Sequence, residues 1–198
     1  MARSIERGAL AAVVAAIFAT PALAARIHPK VVNFPGDGVR EVVSPTGVAI
    51  YFIDQTPDGD GNSDRPILLR YPGGRTEQID SFGRNADVSW SPHGDWLVVT
   101  NNLGSDVADC RAITPGAPKA HTQSLTSLIE GGRFPRISAE VRNADHAYVR
   151  CGRWLSPDGV EVRVEGNVCN PIPCRMRWFD YRLTYDFRSG RLSSGHRR

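Results

Sequence analysis

Short apolar runs, each introduced by a turn rich in Ser, Pro and Gly, set the rhythm of this chain. Val48-Ala-Ile-Tyr-Phe-Ile53 follows Ser44-Pro45-Thr46-Gly47, and Leu97-Val-Val-Thr100 follows Ser91-Pro92-His93-Gly94-Asp95. Val160-Glu-Val-Arg-Val164 follows Ser156-Pro157-Asp158-Gly159 in the same way. Runs of four to six residues bounded by such turns predict strands. The Ser-Pro pairs recur after 47 and then 65 residues, an irregular repeat of the length found in stacked β units.

A second pattern, strict alternation, lies near the C-terminus. Phe179, Tyr181, Leu183, Tyr185 and Phe187 alternate with Asp180, Arg182, Thr184, Asp186 and Arg188, which puts five apolar residues on one face of a strand. Arg188-Ser-Gly-Arg191 then predicts a hairpin turn, with Gly190 supplying a positive φ. Interleaved basic and aromatic residues also suit a stacking platform for single-stranded nucleic acid, but the alternation favours a half-buried strand with a charged outer face. Helical spacing is confined to Thr122–Glu130, through Leu125, Leu128 and Ile129 with Gly131 as a stop, and fits a loop helix or a variant strand. Arg26 to Pro35 is a lead-in that supplies one strand or lies along the surface.

The N-terminus follows a different logic. Arg3 and Arg7 precede an uncharged run from Gly8 to Phe18, and Thr20-Pro21-Ala22-Leu23-Ala24-Ala25 then offers a helix breaker and small, spaced residues. This grammar predicts a secretory signal over 1–24, cleaved after Ala24, and a single β domain over 25–198. The apolar run is about half the roughly 20 residues that span a bilayer, so no transmembrane anchor is expected. The predicted destination is the bacterial periplasm or the exterior.

Net charge is +3, and 22 of the 24 basic residues are Arg. So small an excess gives no reason to expect a nucleic acid partner. Four cysteines, Cys110, Cys151, Cys169 and Cys174, agree with an oxidising compartment and permit three disulfide pairings. The tight Cys169-Asn-Pro-Ile-Pro-Cys174 loop suits a local bridge, which leaves Cys110 to join Cys151. A zinc site needs a second closely spaced ligand pair, which is missing.

Asp58, Asp60, Asn62 and Asp64 place oxygen ligands at alternate positions, as in a calcium-wrapping loop. Ser63 and Leu69 stand where such a loop has Gly and a bidentate Glu, and a solvated hairpin tip explains the same residues. Asp145-His146 is a candidate base pair without a nucleophile elbow beside it, and Glu161 and Glu165 flank Arg163 as on an ion-paired strand face. No cofactor is expected, calcium at that loop being the candidate set against the hairpin tip.

Tyr71-Pro-Gly-Gly-Arg-Thr-Glu-Gln-Ile79, then Val88-Ser-Trp90-Ser91-Pro92-His-Gly94-Asp95-Trp-Leu-Val-Val-Thr100, then Gly104-Ser-Asp106, together resemble a blade of the TolB-like, WD-repeat-related β-propellers over about 45 residues. Trp154-Leu-Ser156-Pro157-Asp-Gly159 is a second copy with one residue inserted. Departures are His93 at the family's Asp and the partial signature of Ser44–Gly47. The resemblance implies a mostly β fold of three or four antiparallel propeller-like blades, an incomplete propeller or one completed by further copies through self-association. A β-sandwich is the alternative fold. It further implies an exported, non-enzymatic module that binds an envelope protein. A hydrolase or lyase acting on a glycan or peptide, through Asp145, His146 or Glu161, is the alternative function.

Overall fold

Apolar runs bounded by turns become strands wherever a neighbouring run can pair with them, and here each pairs with its neighbour in sequence. The structure, a computed structural model, describes residues 30–54, 64–170 and 175–194. It is mostly β, with three successive four-stranded antiparallel meanders. The first comprises β1's successors β2 (Glu41–Val43), β3 (Ala49–Phe52), β4 (Arg65–Arg70) and β5 (Thr76–Phe82), after β1 itself (Val32–Phe34). The second is β6 (Asn85–Trp90), β7 (Leu97–Asn102), β8 (Val107–Thr114) and β9 (His121–Ser124). The third is β10 (His146–Trp154), β11 (Gly159–Asn170), β12 (Arg175–Asp186) and β13 (Arg191–Ser194). The lead-in strand β1 pairs antiparallel with β6, and a short parallel contact of β10 with β8 joins the second and third meanders into one sheet.

The three meanders pack as layers. Alternate residues of the middle one enter two different cores: Leu97, Val99 and Ile113 meet Ile50, Ile67 and Leu69 of the first meander, whereas Val98, Cys110 and Ala112 meet Val149, Val162 and Leu183 of the third. Burial on both faces explains why Leu97-Val-Val-Thr-Asn101 is buried without interruption. In β12, by contrast, Phe179, Leu183 and Tyr185 are buried while Asp180 and Arg182 lie on the other face, because the third meander has a neighbour on one side.

The Ser-Pro-x-Gly segments hold equivalent places, each joining the first strand of a meander to its second. Ser44 and Ser91 are buried, and their hydroxyls accept from Val48 N and Trp96 N, each at 3.1 Å. In the third turn the inserted Leu155 leaves Ser156 exposed, and a bulge in β10 between Cys151 and Trp154 absorbs the extra residue. Trp154 thereby keeps its place: its Nε1 donates to Ser89 Oγ of the preceding layer at 3.1 Å, as Trp90 Nε1 donates to Val42 O of the layer before that at 3.2 Å.

The interval of 65 residues exceeds that of 47 by 18, the length of the helical stretch Leu125–Arg142. The segment expected to be either helix or strand is both in turn: β9, then α1 (Leu125–Leu128), capped by the Ser124 hydroxyl, and a π-helical turn (Ile129–Arg133). Gly132, at φ +92°, breaks the helical run directly after Gly131, and α2 (Pro135–Arg142) follows with Pro at its start. Leu125, Ile129, Ile137 and Val141 fill the core between the second and third layers, and Glu140 receives Arg177 of β12 at 2.9 Å. A disulfide between Cys110 of β8 and Cys151 of β10 ties the same two layers covalently.

A polar cluster lies between the first and second layers. Asp80 of β5 takes Ser81 N at 2.8 Å and Arg111 of β8 at 2.8 Å through Oδ1, and Arg111 also reaches Asp109 at 3.2 Å. Among the described residues, Asp80 Oδ2 and Asn101 Oδ1 are buried without a hydrogen-bond partner. Burial raises the Asp80 pKa above its ordinary value, against the opposing pull of Arg111.

Two predictions follow from these contacts between layers. Gly94 has φ +79°, and a Cβ there would lie 2.7 Å from Pro45 Cδ; Gly73, at φ +92°, has open space around it. Both changes to Ala carry the left-handed backbone penalty of roughly 1–2 kcal/mol, and Gly94→Ala adds overpacking of roughly 1–3 kcal/mol, so urea unfolding should show the larger loss for Gly94→Ala. Equal losses would mean that Pro45 yields freely. For Asp80, a pKa raised by folding means that its favourable contribution is full below the unfolded value of about 4 and fades as pH rises through the folded value. The unfolding free energy of the wild type relative to Asp80→Asn should therefore fall as pH increases from about 4 towards neutrality; a constant difference would contradict the raised pKa.

Candidate functional site

Antiparallel register sets side chains of one sheet face in rows, and on the outer face of the third meander those rows are charged. Arg150, Arg163 and Arg182 stand abreast across β10, β11 and β12. One row towards the tip of the β11–β12 hairpin stand Tyr148, Glu165 and Asp180, and beyond them His146, Asn167 and Trp178. Opposite charges in adjacent rows pair: Arg150 and Arg163 both meet Glu165 at 2.9 Å, Arg163 meets Asp180 at 3.0 Å, and Arg182 meets Glu161 at 3.5 Å. The Asp180 and Glu165 carboxylates raise the Arg163 pKa further, so its charge is permanent. Arg150 also lies over the Tyr148 ring, 4.8 Å from its centroid.

Trp178 breaks the charged pattern. It occupies the polar phase of β12, is 69% exposed, and has Met176, also exposed, two residues before it on the same face. Its support is a continuous ladder. β11 and β12 pair without a break from Gly159↔Asp186 to Asn170↔Arg175, and Cys169 near the tip is disulfide-bonded. Gly166 brings β10 close, since a Cβ there would lie 2.7 Å from the Phe179 ring and still nearer the His146 carbonyl. Trp178, Tyr148, Arg150, Arg163 and Asp180 line a shallow groove of about 610 Å³.

The residues singled out from sequence are distributed differently. Trp90, Ser91, Pro92, Gly94, Trp154, Pro157 and Gly159 belong to the turn end of the layers, where the two indoles are buried structural elements. Asp158 in the third turn accepts from Arg188 at 2.6 Å and from Trp96 Nε1 at 3.1 Å, and these bonds hold its carboxyl below the usual carboxylate range. Asp58, Asp60, Asn62 and Cys174 lie outside the described residues, and Asp64 is exposed just before β4. Among the described residues no group of three or more His, Cys, Asp or Glu is placed to hold a metal ion.

His146 is held by Asp106, Nδ1 to Oδ1 at 2.8 Å, and its sequence neighbour Asp145 is exposed, with its backbone N bonded to Asn167 O. Glu161 and Glu165 are both engaged by guanidinium groups. Trp178 was missed by sequence reasoning, although the signal was present: an indole in the polar phase of a strictly alternating strand. No protein-family model, curated protein or solved structure matches the chain, and no helix among the described residues is long and apolar enough to cross a membrane.

If the row of arginines is held by its acidic neighbours, Glu165→Ala should leave Arg150 and Arg163 with one pairing partner fewer and raise the mobility of both guanidinium groups. Nε–Hε relaxation in NMR spectra checks this, with loss of ordering expected at Arg150 and Arg163 and none at Arg70, which pairs with Glu41 on the first layer. Melting temperature should change little, since exposed pairs contribute about 0–1 kcal/mol each.

Proposed function

We propose that the protein is an exported, non-enzymatic binding module whose three meanders are consecutive blades of a TolB-like array, and that it engages an envelope protein through the outer face of the third. The blade reading rests on three like meanders, on Ser-Pro-x-Gly turns at equivalent places, and on indoles that each reach the preceding layer. Export is supported by the basic, apolar and small-residue grammar of residues 1–24 and by the Cys110–Cys151 disulfide.

One observation carries the docking face: a tryptophan 69% exposed on a braced hairpin, bordered by Tyr148, Arg150 and Arg163. Trp, Tyr and Arg are the side chains that dominate interface hot spots, because they bury large areas with few rotamers to fix. The charged ladder around them supplies the polar rim that excludes water without needing an apolar surface.

Crosslinking in cells, followed by mass spectrometry of a tagged protein, tests this reading. A recurrent envelope partner is expected, and Trp178→Ala should weaken its capture by about 2 kcal/mol, roughly thirtyfold, while the melting temperature stays within a degree or so of the wild type because the indole is exposed. Undiminished capture by Trp178→Ala would rule out this face. Recovery of the protein crosslinked only to itself would indicate a ring assembled from copies.

A further inference from the structure

An open cleft of about 750 Å³ lies at the end of the β6–β7 hairpin opposite to the Ser-Pro-x-Gly turns. Its floor is built around Asn33 of β1. The Asn33 amide is fixed at both ends: Oδ1 accepts from Gly36 N at 3.2 Å, and Nδ2 donates to Asp87 Oδ1 at 2.6 Å. One hydrogen on Nδ2 is left over. The turn is shaped to this side chain, since a Cβ on Gly36 would overlap Asn33 Oδ1.

Across the cleft, Asn85 and Asn102 stand opposite each other in the β6–β7 register and are half-buried. Neither side chain has a hydrogen-bond partner among the described residues, and the exposed Arg84 guanidinium beside them has no ion pair there. Arg150, already balanced by Glu165, closes the wall next to Tyr148. The cleft therefore presents planar amides with spare donors and acceptors, one cation without an ion pair among the described residues, and a mixed wall that includes Pro35 and the Tyr148 ring.

Such a lining selects by chemistry. An apolar ligand or a peptide side chain finds no dry pocket. A phosphate needs donors alone, and the Asp87 carboxylate and the amide oxygens beside it work against a dianion. Hydroxyl groups both donate and accept, and an amide offers both functions in one plane. Arg84 adds the fork that a carboxylate accepts. We propose that this cleft is a second binding site, adjoining the Trp178 face at Tyr148 and Arg150 but not using Trp178, and that it takes a carboxylated saccharide, with Asn33, Asn85 and Asn102 on the hydroxyls and Arg84 on the carboxylate.

Titration of the ¹⁵N-labelled protein with a disaccharide of glucuronic acid tests the assignment by NMR, with cellobiose and inorganic phosphate as comparisons. Saturable shifts are expected in the amides of Asn33, Asn85 and Asn102 and their neighbours. Arg84→Ala and Asn102→Ala should each weaken binding about tenfold or more, with the rest of the spectrum unchanged because neither side chain is bonded among the described residues. Cellobiose should bind at least about tenfold more weakly, phosphate should not displace the acid, and Trp178→Ala should bind as the wild type does. Absence of saturable shifts, equal affinity for cellobiose, displacement by phosphate, or wild-type binding by Arg84→Ala would each overturn the proposal. Loss of partner capture in Trp178→Ala with saccharide binding intact would separate the two sites.

Discussion

Leu97, Val98 and Val99 are consecutive in the chain, and each is almost fully withdrawn from water although neighbouring residues of a strand point to opposite faces. Such a strand is stable only with a packed layer on either side. The middle meander is thus the constraint on which the rest depends: it cannot be satisfied by its own hairpins, and the first and third meanders exist as folded layers by covering it. The helical stretch Leu125–Arg142, the disulfide from Cys110 to Cys151 and the lead-in strand β1 all serve the same two interfaces, the first two closing one core and the third extending the other.

The stack ends where burial ends. On the outer side of the first layer Arg70 forks onto Glu41 and lies over the Tyr51 ring, and on the outer side of the third the arginine row is neutralised by its neighbours. A layer that awaited another would present an apolar face, as the middle one does. These faces are finished with charge instead, which suits water or a polar partner better than dry closure into a ring. Trp178 is therefore conspicuous for chemical reasons: it is a tryptophan left 69% exposed at the margin of a face otherwise dominated by ion pairs.

Sequence reading recovered the parts of this arrangement that depend on local order. The alternation through Phe179–Phe187 marked a strand with one buried face, the Ser-Pro-x-Gly turns marked where strands reverse, and the spacing of the cysteines agreed with the Cys110–Cys151 link. What escaped depends on neighbours distant in sequence. α2 is too short and too polar for its period to stand out, with Ile137 and Val141 gaining their meaning from the third layer. His146 has an acidic neighbour in sequence but an acidic partner from the Asp106 turn, because the parallel pairing of β8 and β10 brings the two strand starts together. The cleft around Asn33 joins β1 to strands that begin more than 50 residues further along the chain, so the amides that line it look like ordinary turn residues until the sheet assembles.

The direction of the tryptophan contacts has a consequence for how such a chain is made. Trp90 bonds to Val42 and Trp154 to Ser89, so each indole points from its own layer to the one synthesised just before it. Each meander is also a contiguous stretch of chain, and β1 is the strand that waits for a later partner, β6. A polypeptide that leaves a ribosome or a translocation pore N-terminus first therefore has, once a meander is complete, a surface on which the next one can condense. Growth of the meanders can then proceed by accretion, each on the one before it.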